Sequence, residues 1–348
     1  MSADAQTVQT VLGPVPAPEL GRTLAHEHVF FDLRCYFTPS EDDPLGEMAD
    51  AALAAERLWW IRTHPMNSRA NLVQEDGGVA VEEVSLFKQA GGGTLVDVTT
   101  VGLAPKPQAL ADVSRETGVN IVAGTGFYIA GSYDNAVLDW DETRLADFFR
   151  RELLQGMGDT TIRAGLIGEL GVSNPILDGE RRTLRAAARV QRELGVAVSL
   201  HPSWGPEGAL EAVRAAEEAG LEPGRTAISH LDNRFGADEA LHLEVARRGF
   251  MVELDSFGRE IYYPHVNAQL PSDAERIRAL MALLERGFAG QILVAQDICF
   301  AHELVRNGGH GYAHFLRSVT PRLTRSGVAD ESIQSMLVEN PRRWLAGT

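Results

Sequence analysis

The chain has 348 residues, 44% of them hydrophobic and 23% charged, an ordinary balance for a protein that buries a large core. A formal net charge of -16, from 32 Lys and Arg against 48 Asp and Glu, argues against nucleic acid or an anionic membrane surface as a partner and leaves a small molecule as the expected one. No basic leader and no apolar run of about 18 residues is present, so a cytoplasmic location is expected, and Cys35 and Cys299 read as reduced thiols, too few for a disulfide framework.

In chain order, residues 8–15 read as a short strand or hairpin turned by Gly13-Pro14, ahead of the main fold. Residues 23–29, Thr23-Leu-Ala-His-Glu-His28 and Val29, form the first main strand, and its two histidines at i and i+2 point to one face with Glu27 pointing away. From 32 to 78 the chain leaves any simple rhythm. This excursion contains the acidic Glu41-Asp-Asp43, a predicted helix over 50–61 with Trp59-Trp60, and the stop His64-Pro65. A connection this long usually carries function, as a lid, a substrate wall or an interface.

After Gly78 strands and helices alternate. Helices are predicted over 81–90, 107–117, 143–155, 181–194, 207–219, 238–248 and 272–286, the last opening with the capping-box pattern Ser272-Asp-Ala-Glu275. Strands are predicted over 94–99, 120–126, 164–169, 196–201, 226–230, 250–254 and 291–297, and two helices over 313–326 and 331–345 end the chain. Eight apolar strands separated by helices predict a (β/α)8 barrel, a single domain over 1–348 with an N-terminal hairpin and a long insertion after the first strand. An open dinucleotide-binding sheet is the alternative, but no Gly-x-Gly-x-x-Gly follows the first strand.

The polar residues then fall into a pattern. His26 and His28 end strand 1, Glu169 strand 4, His201 strand 5, His230 strand 6 and Asp297 strand 8, the end at which barrels keep their active sites. Imidazoles and carboxylates without thiolates suit Zn²⁺ first, then Mn²⁺, Co²⁺ or Fe²⁺. Six ligands exceed the needs of one tetrahedral ion and favour two divalent metal ions about 3.5 to 4 Å apart, with Glu169 as the bridge. Tyr128 at the end of strand 3, Trp204 just after His201, and Arg259 are candidate substrate contacts, Arg259 as a clamp for a carboxylate, sulfonate or phosphate. The competing uses are loop packing for Tyr128 and a salt bridge from Arg259 to Glu260 or Asp255. His302, His310 and His314 read as loop or helix hydrogen-bonding residues, and His64, His242 and His265 as structural or exposed.

Val8-Gln-Thr-Val-Leu-Gly-Pro14, Thr23-Leu-Ala-His-Glu-His28, Gly124-Thr-Gly-Phe-Tyr128, Ile167-Gly-Glu-Leu-Gly171, Ile228-Ser-His230 and Gly308-Gly-His-Gly-Tyr-Ala-His314 together resemble the phosphotriesterase-related family of the amidohydrolase superfamily, over nearly the whole chain. The resemblance implies His26, His28 and Asp297 on a more buried metal, His201 and His230 on a more exposed one, the strand-4 residue between them, and a homodimer. In the best-known members that bridge is a carboxylated lysine. The only lysines here are Lys88 and Lys106, neither on strand 4, so Glu169 must take the place, as in the Glu-bridged branch of the family. Resemblance to that branch implies hydrolysis of a small amide, such as an N-acyl amino or aminosulfonic acid, with lactones or carboxylic esters as the alternative and phosphotriesters or mere binding less favoured. The deaminases of the superfamily need an acid that is missing here, since His201 is followed by Pro202-Ser203-Trp204. Asp297 is the expected catalytic proton acceptor and donor.

Overall fold

A computed structural model describes residues 6–43, 45–232, 239–263 and 267–347. His265 and the first residue of the helix predicted over 238–248 lie outside the described residues. A hairpin of Thr7–Thr10 and Gly13–Pro16 precedes the main sheet, as expected from Gly13-Pro14. The main sheet has eight parallel strands, β1 (Thr23–Glu27), β2 (Thr94–Asp97), β3 (Asn120–Thr125), β4 (Leu166–Val172), β5 (Ala197–Pro202), β6 (Thr226–Ile228), β7 (Met251–Leu254) and β8 (Ile292–Val294), hydrogen-bonded in chain order. Helices α1 (Gly77–Gln89), α2 (Pro107–Thr117), α3 (Glu142–Leu154), α4 (Asp178–Leu194), α5 (Pro206–Ala219), α6 (Glu239–Arg247) and α7 (Asp273–Glu285) follow the strands in turn. The molecule is a nearly closed (β/α)8 barrel: among the described residues no ladder joins β8 to β1, but the Asp297 amide donates across that seam to the His26 carbonyl at 3.2 Å.

Two layers of core hold this arrangement. Ala25, Val96, Val122, Leu166, Ala197, Ala227, Met251 and Leu293 fill the inside of the barrel, and the fully buried Trp344 closes its floor. Leu24, Leu95, Ile121, Ile167, Val198 and Ile228, the alternate residues, pack outward against the helices. Strand proximity explains the glycines of the Gly124-Thr-Gly stretch. A Cβ on Gly124 would lie 1.9 Å from the Gly168 carbonyl of the adjoining strand.

Three predicted helices change on folding. Of the span 50–61 only Ala55–Arg57 and Leu58–Ile61 turn, as a 3-10 turn and one α turn, because Ala54 is extended and no side chain caps the start. Adjacent tryptophans also cannot both face inward from one turn. Trp60 is buried and stacks on His64, whereas Trp59 is 69% exposed. The two C-terminal helices are each broken by a π turn, Phe315–Val319 before Thr320–Arg325 and Ser335–Glu339 before Asn340–Ala346. Pro321 and Pro341 sit at the joins, and each lacks the N–H that an α turn would use. The capping box at Ser272 and Glu275 forms as predicted.

Strand alternation alone would have pointed two of the site residues the wrong way. Ala25 and Leu166 face inward, so a regular strand would send His26 and Glu169 outward. The pairing of β1 with β2 shifts register between Leu24 and Glu27, and that of β4 with β5 between Ile167 and Leu170. Each irregularity turns the next polar side chain into the barrel mouth.

Trp344→Ala removes the floor of the barrel and should destabilise the protein by about 3 to 5 kcal/mol. Urea denaturation followed by fluorescence and circular dichroism checks this, and a loss below about 1 kcal/mol would contradict the assigned packing.

Candidate active site

At the C-terminal ends of the strands a small cavity is lined by His28, Glu169, His201, His230 and Asp297, with Tyr128, Trp204 and Arg259 on its walls. His26 lies directly beneath it with no exposed surface. The side chains arrive by different routes. His201 follows the plain alternation of β5, and His26 and Glu169 use the register shifts. His230 and Asp297 lie beyond the last paired residues of β6 and β8 and adopt left-handed backbone, with φ of 60° and 50°. Glu169 is not at a strand end as expected, since β4 runs on to Val172 by pairing Leu170–Val172 with Leu200–Pro202.

The Glu169 carboxylate is the common neighbour. Its Oε1 is 3.5 Å from His28 Nε2, and its Oε2 is 3.5 Å from His26 Nε2, 2.8 Å from His201 Nδ1 and 3.3 Å from His230 Nε2. Asp297 Oδ1 stands 3.4 Å from His28 Nε2 and 3.7 Å from His26 Nε2.

Three of the four histidines are aimed through Nδ1, the nitrogen turned away from the cavity. His26 Nδ1 is 3.2 Å from Glu253, His28 Nδ1 is 2.9 Å from Thr99 Oγ1, and His230 Nδ1 is 3.0 Å from Asp255. Such bonds fix the tautomer and turn the other nitrogen inward. His201 differs: its Nδ1 faces inward and its Nε2 lies 3.4 Å from the Tyr128 hydroxyl. Glu253, Asp255 and Thr99 were not expected from sequence to orient the histidines, although Glu253 and Asp255 are acids at i and i+2 at the end of an apolar strand. That placement is itself a signal, because an unneeded buried acid is costly.

The donor set fits divalent cations. His26 Nε2 is buried with no hydrogen-bond partner, yet carboxylate oxygens flank it. Separations of 3.4 to 3.7 Å are long for hydrogen bonds but close to the spacing of about 3.3 Å between ligand atoms that share a tetrahedral ion at 2.0–2.1 Å. His26, His28 and Glu169 form one group able to hold an ion, and Glu169, His201 and His230 a second, with Glu169 in both.

Electrostatics point the same way. Glu169, Glu253, Asp255 and Asp297 are all buried around the cavity floor. Burial works against charge on His26 and His230, but nearby carboxylates outweigh it, Glu169 and Glu253 for His26 and Asp255 for His230. The first is raised well above its ordinary value and the second to about 9. Burial likewise opposes charge on Glu169, but His201 and His26 hold it well below the usual carboxylate range. The buried carboxylates thus draw positive charge onto the histidines beside them.

Arg259 is 2% exposed and pairs with neither Glu260 nor Asp255, the partners weighed from sequence. Its Nη1 donates to Asp297 Oδ2 at 2.7 Å, its Nη2 to the Asp297 carbonyl, and Nε and Nη2 grip Glu303 at 2.6 and 2.9 Å. Tyr128 both lines the cavity and meets the Tyr36 hydroxyl at 3.0 Å. The Trp204 ring stands edge-on to Tyr263 at 5.2 Å. Neither Trp59 nor Trp60 lines this cavity. His302 bonds Asn71, His314 bonds Asp273, and His242 bonds the Leu231 carbonyl. Lys88 and Lys106 are held far from β4, by the Gly118 carbonyl and by Glu75.

The barrel mouth is where (β/α)8 enzymes carry their chemistry, and the relatives of this chain make it a barrel hydrolase. Residues 6–345 match the Phosphotriesterase family, and the chain belongs to it. It is 38% identical to the N-acetyltaurine hydrolase of Salmo salar, over 99% of both chains, and 36% identical to that of Homo sapiens, over 99% of both. Among solved structures it is similar to a resiniferatoxin-binding protein from Rhodobacter sphaeroides (34% identity, TM-score 0.93, covering 98% of this chain and 95% of that one). It is also similar to the phosphotriesterase homology protein of Escherichia coli complexed with phosphate in its active site (26% identity, TM-score 0.77, covering 94% and 99%). No helix among the described residues is long and apolar enough to cross a membrane.

The raised His230 sets a pH dependence for the metal-free protein. A histidine with a folded value of about 9 and an ordinary one near 6.5 contributes stability that is full below the lower value and lost as pH rises through the upper. Chelator-stripped protein should therefore melt at progressively lower temperature between about pH 6.5 and 9. Asp255→Asn should flatten that slope, and a melting temperature that instead rises over this range would refute the assignment.

Proposed function

We propose that the enzyme is a binuclear metal-dependent hydrolase of a small amide, built as a single barrel domain. His26, His28 and Asp297 would hold the more buried ion, His201 and His230 the more exposed one, and Glu169 both. The observation that carries this reading is the division of the Glu169 carboxylate, Oε1 toward His28 and Oε2 toward His26, His201 and His230. Zn²⁺ suits the donors best, with Mn²⁺, Co²⁺ and Fe²⁺ as alternatives. When bound, such ions supply Lewis acidity, lowering the pKa of water toward neutrality and polarising a scissile carbonyl.

The protein's own residues do the rest. Asp297 accepts the proton of the attacking water and passes it to the leaving nitrogen or oxygen. Arg259, locked by Glu303, holds the Asp297 carboxylate in one orientation and keeps it ionised at neutral pH. Burial opposes that charge, and the guanidinium and the neighbouring histidines overcome it. Tyr128 donates toward the substrate carbonyl, and Trp204 forms an apolar wall. Arg259 is a weaker candidate for an anion clamp than its sequence position suggested, because Asp297 and Glu303 already balance its charge.

An amide substrate is favoured by the similarity to N-acetyltaurine hydrolases, so N-acyl amino or aminosulfonic acids come first, with lactones and carboxylic esters second. We further propose a cytoplasmic homodimer, with the exposed Trp59 as a contact.

A panel of N-acetyltaurine, N-acyl amino acids, lactones, aryl esters and a phosphotriester, assayed with Zn²⁺, Mn²⁺ and Co²⁺, identifies the class. Amide turnover that chelation abolishes and metal restores is expected, and no turnover of any member by metal-loaded protein would refute the reading. Asp297→Asn should lower kcat by about 10² to 10⁴ with metal still bound, and full activity in that variant would remove Asp297 from the chemistry.

A further inference from the structure

Glu27 sits between His26 and His28, has no exposed surface, and takes no part in the site as described so far. Its side chain leaves the cavity and enters the seam between β1 and β8, where no ladder forms among the described residues. There Oε1 accepts the Gln296 amide at 2.8 Å and Oε2 the Ile298 amide at 3.0 Å. The two gripped residues flank Asp297, whose own amide donates to the His26 carbonyl at 3.2 Å. Asp297 has φ of 50°, a left-handed conformation that is uncommon for a residue with a Cβ, although Asp adopts it more readily than most.

We propose that Glu27 is a positioning residue for the hydrolytic reaction, its carboxylate clamping the backbone on both sides of Asp297 so that the left-handed turn holds the Asp297 side chain in the barrel mouth. Burying a carboxyl group is costly, and a backbone carbonyl would serve if closing the barrel were the only need. One carboxylate with two oxygens is what allows both amides to be held by a single side chain. Glu27 also shares a strand with His26 and His28, so the grip sets Asp297 against both histidines directly. This inference rests on the reading of Asp297 given above.

The test compares Glu27→Gln with Glu83→Gln. Glu83 is also buried and accepts a pair of amides, Val305 at 3.0 Å and Arg306 at 2.8 Å, from residues that do not line the cavity. In Glu27→Gln the carboxamide offers one acceptor oxygen and turns a donor toward the other backbone amide. Measured on the substrate turned over fastest in the panel, Glu27→Gln should lower kcat at least tenfold with KM changed less than twofold. The visible absorption of its Co²⁺-loaded form should change, at unaltered Co²⁺ content, because a ligand carboxylate has moved. Glu83→Gln should lower the melting temperature while kcat stays within twofold. A fall below tenfold, an unchanged Co²⁺ spectrum, or an equal fall in Glu83→Gln overturns the proposal. If Glu27→Gln does not fold, Glu27→Asp, one methylene too short to reach both amides, is judged by the same readouts. Asp297→Asn is measured alongside: full activity there removes the underlying reading, whereas an inactive Asp297→Asn beside an active Glu27→Gln removes the clamp alone.

Discussion

Negative charge gathered where water cannot reach it is the constraint on which the rest of this barrel depends. Glu169 is 1% exposed and stands within 3.5 Å of a nitrogen from each of four histidines, and Glu253, Asp255 and Asp297 are buried around it. No fold keeps such a set in its core for stability, since replacing buried ionic groups by apolar ones is often neutral or favourable. Cations must compensate it. Protons on His26 and His230 do so in the metal-free protein, and divalent ions fit the same atoms.

Keeping the mouth open has a second consequence. Beyond the last paired residues of β1, β2, β6, β7 and β8, some backbone amides have no ladder partner and would be orphaned. Buried carboxylates take them up. Asp97 accepts the Val29 and Thr99 amides, Asp255 the His230 amide, Asp232 the Asp255 and Ser256 amides, and Glu27 those of Gln296 and Ile298. The rim is thus laced by side chains where the ladder stops. Asp232 is in turn paired with the buried Arg276 at 3.0 Å, which donates to the Arg259 carbonyl and so links the lacing to the cavity wall. This lacing holds the backbone around His230 and Asp297, the two site residues that lie past the ends of their strands.

The carboxylates divide into those that face the cavity and those that hold the groups facing it. Glu169 and Asp297 face the cavity, whereas Glu253 and Asp255 reach it only through the histidines they orient. Arg259 belongs with the holding groups as much as with the wall, since Glu303 and Asp297 claim most of its donors.

Much of this was legible from the chain alone. Eight apolar runs alternating with helices can hardly fold otherwise than as a barrel, and His-x-His together with acids and histidines near strand ends mark where its mouth lies. Hydrophobic period and residue chemistry are local properties, so they survive in the sequence. The route by which each residue reaches the mouth is not local. His26 and Glu169 have the outward parity of their strands, and only register shifts against β2 and β5 turn them in. His230 and Asp297 need a left-handed backbone that their neighbours impose. The partners of Arg259 lie 38 and 44 positions away, and Glu27 acts across the seam on residues 269 and 271 positions distant. The sequence by itself determined the fold and the kinds of ligand; tertiary structure decided where each side chain points, because facing depends on pairing between strands that are far apart in the chain.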